Sequence, residues 1–114
     1  MRDDTNCIEG IKEKVRKGNW HPSKKKAFLD YLAYLGANDK AMRTIYLYAN
    51  NVHRLGNYLP AKPFEGYSQK DIIDFKTELK KTYAPYSTHN FLLDCQTFLK
   101  WHLKIDNCQN QLHL

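Results

Sequence analysis

The chain has 114 residues, 42% of them hydrophobic, with eight Tyr, five Phe and two Trp; that suffices for one domain with a real core and is too little for a multidomain enzyme. Its apolar runs are only a few residues long, which excludes a membrane span, and its apolar content excludes an extended disordered chain. Eighteen Lys and Arg against twelve Asp and Glu leave a formal charge of +6, which favours polyanionic partners such as nucleic acid.

Periodicity predicts helices throughout and no convincing strand. A weak helix over residues 5–17 carries Ile8, Ile11 and Val15 on one side, and Gly18, Asn19 and Pro22 separate it from the next. Ser23 is the expected N-cap of a helix to Leu35, with Phe28, Leu32 and Leu35 on one face and Gly36 as a left-handed stop. The third predicted helix spans residues 40–59, because Ile45, Tyr48, Val52, Leu55 and Leu59 repeat at alternating spacings of three and four before Pro60 ends it. Two features disagree with that helix: Ala41 and Met42 stand where a small polar cap is expected, and Gly56 costs about 1 kcal/mol in its interior.

Residues 60–67 hold two prolines and Gly66 and read as an ordered loop. Ser68 to Asp71 form a capping-box-like start to a helix over 69–82, with Ile72, Phe75 and Leu79 inward, Ile73 flanking them, and Ala84-Pro85 as its stop. Ser87 is the expected cap of the last helix, over 88–103, where Phe91, Leu92, Cys95, Phe98, Leu99 and His102 share a stripe. Joined by short loops, these helices predict an all-α fold: a compact four-helix bundle over residues 23–105, preceded by a basic helix and linker over 1–22 and followed by a polar tail over 106–114.

The charge is uneven. From Lys12 to Lys26 there are seven Lys and Arg against the single acid Glu13, and from Lys40 to Phe64 there are four and no acid, whereas Glu65 to Leu79 carries four acids and two lysines. The basic surface therefore belongs mainly to the first half.

Four short patterns recur in order. Tyr34-Leu35-Gly36 ends one helix, and Thr44-Ile45-x-x-Tyr48 opens the long one. Asp71-Ile72-x-x-Phe75 lies in the next, and Ser87-Thr88-x-Asn90-x-x-Leu93 leads to Phe98-x-x-Trp101. In this order and separation, residues 23–103 resemble the N-terminal core-binding domain of tyrosine recombinases and phage-type integrases, a SAM-like helical module. The resemblance implies half of a C-shaped clamp around duplex DNA, acting in site-specific recombination or integration, with other recombinase protomers as further partners.

The residue types fit such a role. Lys40 and Arg43 precede a strongly patterned core face with no acid one turn away. Thr44, and the group Ser87, Thr88, His89 and Asn90, crowd helix starts, where hydroxyls, amides and unpaired N–H groups can complete phosphate sites. Lys24, Lys25 and Lys26 stand at a helix start where the dipole disfavours cations by a few tenths of a kcal/mol, a cost that a nearby polyanion would offset. With Lys12, Lys14, Arg16 and Lys17 they extend the footprint along the phosphate backbone. The expected DNA-binding set is Lys24, Lys25, Lys40, Arg43, Thr44, Ser87, Thr88, His89 and Asn90.

The catalytic elements of the recombinase family, an arginine, a lysine, a His-x-x-Arg and a tyrosine nucleophile, lie downstream of the core-binding module and have no counterpart here. No tyrosine stands beside a His-x-x-Arg, so no catalysis is expected from this chain alone. Cys7, Cys95 and Cys108 form no C-x-x-C pair, and the five histidines do not cluster with other ligand types, so no metal, cofactor or disulfide framework is expected. Met1 to Asp4 show no basic segment leading into an apolar stretch, so the expected setting is cytoplasmic, with no membrane and no small-molecule substrate. Two alternatives stay open: a helical protein-interaction module whose basic face meets an acidic partner, and a stand-alone regulator that occupies recombination sites.

Overall fold

The computed structural model describes residues 4–103; the predicted polar tail, with Cys108 and His113, lies outside them. Among the described residues the fold is all-helical, with α1 (Asp4–Lys17), α2 (Pro22–Ala37), α3 (Met42–Tyr58), a 3-10 turn at Phe64–Gly66, α4 (Gln69–Thr82) and α5 (Pro85–Leu103). No described helix is long and apolar enough to cross a membrane. The chain folds as two compact units, the first ending at Pro63 and the second beginning at Phe64.

In the first unit α1 and α2 both pack on α3. Ile8, Ile11 and Val15 of α1 are buried, as are Phe28, Leu32 and Leu35 of α2 and Ile45, Val52 and Leu55 of α3. Residues 1–22, which the sequence sets apart, thus hold a helix that shares the core of α2 and α3, and Trp20 in the linker is itself buried. Burying each such side chain removes enough apolar surface to contribute roughly 1.5–3 kcal/mol, offset by chain entropy.

Three helix ends differ from expectation. His21 rather than Ser23 caps α2: its Nδ1 accepts the Ser23 backbone N–H at 3.1 Å, while Pro22, with its fixed φ and missing N–H, takes the first helical position. Gly36 stays helical, and the left-handed residue is Asp39 (φ 59°), because the Asn38 amide already closes α2 by donating to the Tyr34 carbonyl at 2.8 Å. Helix α3 starts at Met42 behind Ala41, which offers no side-chain cap.

Gly56 has a tertiary reason. A Cβ there would overlap the Trp20 ring, so the missing side chain lets the indole pack closely on α3, where its Nε1 donates to Asn57 Oδ1 at 2.8 Å.

The second unit is an α4–α5 hairpin closed by the 3-10 turn. Ser68 Oγ accepts from the Asp71 N–H at 3.1 Å and Asp71 Oδ2 accepts from the Ser68 N–H at 2.9 Å, a complete capping box. Ile72, Phe75, Leu79, Leu92, Cys95, Phe98 and Leu99 are buried, while Ile73 is exposed. Phe64 seats its ring edge-on to Phe98 at 4.7 Å, and Tyr83 meets Phe91 at 4.9 Å beside the turn into α5. Helix α5 begins at Pro85, three residues before the expected start, again because proline suits the first helical position.

Candidate nucleic-acid interface

Charge divides with the fold. Residues 1–63 hold twelve Lys and Arg against six Asp and Glu, a net +6, whereas residues 64–114 hold six against six. The entire net charge of the chain therefore belongs to the first unit.

Within that unit the cations gather at one end. The last turn of α1 carries Lys14, Arg16 and Lys17, all exposed and none in a salt bridge among the described residues. The first turns of α2 bring Lys25 and Lys26 to the same place. Lys25 Nζ donates to the Arg16 carbonyl at 2.9 Å, pinning α2 to the end of α1, and Lys26 pairs with Asp30 at 2.7 Å. The last turns of α3 add His53 and Arg54. The His53 imidazole is held below its ordinary pKa, first by burial and then by the positive charges of Lys14 and Arg54. A neutral ring suits its neighbours: Trp20 and Phe28 lie 5.7 and 6.5 Å away, and Asn57 Nδ2 approaches His53 Nε2 at 3.4 Å.

Lys24 does not belong to this surface, a correction to the expected binding set. It is fully buried, and its Nζ donates to the carbonyls of Gly56 and Leu59, each at 2.7 Å, with the Trp20 ring centroid 5.0 Å away. The charge that is unfavourable at the start of α2 thus serves the negative end of α3, where the Leu59 carbonyl also accepts the Lys62 backbone N–H at 3.1 Å. Burial lowers its pKa from 10.5 to about 8.

Lys40 and Arg43 lie at the other end of the antiparallel α2–α3 pair. The part of α2 beyond Lys25, residues 26–37, separates them from it by about 18 Å at the usual helical rise. Both are exposed; Arg43 spreads its guanidinium 5.5 Å from the Tyr46 ring centroid, and Thr44 is half-buried beside it.

In the second unit Ser87 is not a cap but a half-buried residue of the first turn of α5, because the helix starts at Pro85. His89 is exposed and Asn90 half-buried. Thr88 is buried, which removes it as a surface phosphate contact, a second correction. Thr88 and His89 instead line a groove with Lys76 and Lys80 of α4, residues the sequence reading left out. A signal was present: Lys76 and Lys80, one turn apart, have no acid at the matching helical spacing.

Cys95 is buried, and burial together with Asp94 pushes its thiol well above the ordinary range, which makes it an unreactive core group. Among the described residues no group of three or more His, Cys, Asp or Glu is arranged to hold a metal ion. No protein-family model matches the chain, and comparison with curated proteins and with solved structures finds no similar protein.

Proposed function

We propose that this chain binds duplex DNA, with the basic end of the first unit as its principal phosphate contact. The observation that carries the reading is the gathering of Lys14, Arg16, Lys17, Lys25 and Lys26 at one end of a unit that holds the whole net charge. Flexible lysines and an arginine around a helix end suit phosphate oxygens on a curved backbone, and a neutral His53 beneath them avoids adding a further buried charge. Lys40 and Arg43, about 18 Å from Lys25 along α2, would engage a second stretch of backbone.

The sequence patterns favour the specific form of this reading, the core-binding half of a recombinase or integrase clamp, with α2 to α5 as counterparts of that module's helices. In it Ser87, His89 and Asn90 are secondary contacts. The chain performs no catalytic step of its own.

The test is fluorescence anisotropy of the full chain with a labelled duplex. Arg16→Glu with Lys17→Glu is expected to abolish binding while preserving the helical circular dichroism signal, and Arg43→Ala to weaken it several-fold. Unchanged binding by the double variant, or preference for an acidic protein over duplex DNA, overturns the reading.

A further inference from the structure

The α4–α5 hairpin carries a groove of about 640 Å³ that phosphate binding by the first unit leaves unused. That volume falls within the roughly 300–1,000 Å³ typical of small-molecule sites. Leu92 and Leu93 supply apolar wall, Lys76, Lys80 and His89 supply nitrogen, and no carboxylate is among the described residues that line it.

Two observations point to an anionic ligand. The first is the lysine pattern of α4. Lys70 pairs with Asp74 at 2.7 Å and Lys81 with Glu78 at 3.2 Å, but the two lysines that line the groove form no salt bridge among the described residues. They stand four residues apart on one face, a like-charge spacing that is locally unfavourable.

The second is Thr88. It is 3% exposed, lines the groove, and its Oγ1 has no hydrogen-bond partner among the described residues. Helical threonines ordinarily donate to the carbonyl one turn back, and two in this unit do: Thr77 to Ile73 at 3.0 Å and Thr97 to Leu93 at 2.9 Å. Thr88 makes no such bond to the carbonyl one turn back, that of Ala84. A buried hydroxyl left in this state costs about 1–3 kcal/mol unless something else accepts from it.

We propose that this groove binds a small amphipathic carboxylate. The apolar body lies against Leu92 and Leu93. The acid group sits between Lys76 and Lys80 and accepts the hydrogen bond of Thr88 Oγ1. Such a ligand answers the like-charge pair, the solitary hydroxyl and the apolar wall together, which neither a neutral lipid nor an inorganic anion does.

Decanoate is the probe, added to the full chain and followed by backbone amide NMR shifts and calorimetry, with decanol and acetate as the same body and the same acid group alone. Decanoate is expected to shift amides along residues 76–96 and to bind at least roughly tenfold more tightly than either comparator, about 1.4 kcal/mol. Lys76→Gln with Lys80→Gln is expected to remove that advantage over decanol. The isosteric Thr88→Val, which leaves no hydroxyl to satisfy, should remain folded and bind decanoate several-fold more weakly. Equal affinity for decanoate and decanol, no shift in these residues, or tighter capture of an acidic amphipathic peptide at the same residues overturns the proposal. Because the probe reports on the second unit, loss of duplex binding through Arg16 and Lys17 leaves this result unaffected.

Discussion

The ammonium of Lys24 lies 2.7 Å from the carbonyl oxygen of Gly56, fully buried, and a second carbonyl, of Leu59, accepts from it at the same distance. A residue that reads as part of a surface lysine run is thereby the closing piece of α3. Lys24→Ala removes both hydrogen bonds, leaves the carbonyls without that donor and opens a cavity. The expected loss is about 2–4 kcal/mol in urea unfolding, with the salt dependence of duplex binding unchanged in the folded protein.

The same group sets a pH dependence. Its pKa is about 8 in the folded chain against 10.5 in the unfolded one, so between these values the unfolded chain binds more protons. Stability contributed by Lys24 is therefore expected to rise as pH increases from about 8 to 10.5. Comparing urea midpoints of the parent and Lys24→Met at pH 8 and pH 10 isolates this effect from tyrosine ionisation, and the difference between the two proteins should change across that interval.

Two glycines should respond in opposite directions. A methyl at Gly10 meets no atom within 4 Å, so Gly10→Ala is expected to stabilise α1 by up to about 1 kcal/mol through helix propensity. At Gly56 the methyl would overlap the Trp20 ring, so Gly56→Ala is expected to destabilise by about 1–3 kcal/mol despite the same propensity gain. Thermal unfolding of the two variants checks both signs.

His53 reports on the basic end. Burial, Lys14 and Arg54 lower its pKa below 6.5, so the stability it contributes is present above pH 6.5 and is lost as pH falls from there through the folded value. Lys14→Gln is expected to raise the His53 pKa without restoring it fully, since burial is the larger cause. Duplex DNA bound at Lys14 and Arg16 should also raise it, because phosphate favours the imidazolium. An NMR titration of the His53 ring with and without duplex reads both effects.

Local pattern made much of the fold legible. Ile72, Phe75 and Leu79 sit at helical spacing after a Ser68–Asp71 capping box, and each signal lies within one or two turns of the element it specifies. Helix starts were less legible where proline competed with a hydroxyl: Pro22 and Pro85 take the first helical position and leave Ser23 and Ser87 inside the first turn. Lys24, Gly56 and Thr88 were not legible, because what decides each is distant or lies outside its own pattern. The Lys24 partners are 32 and 35 residues away, Gly56 answers to Trp20, and the groove at Thr88 exists only once α4 and α5 face one another.

The most direct measurement is the affinity of the full chain for a short duplex across a series of salt concentrations. Engagement of phosphates by Lys14, Arg16, Lys17, Lys25 and Lys26 together with Lys40 and Arg43 implies a slope of log affinity against log salt of about −6.3, falling to about −4.5 when Arg16 and Lys17 are both changed to alanine. A slope near zero, or one that the double substitution leaves unchanged, contradicts phosphate binding by the basic end of the first unit.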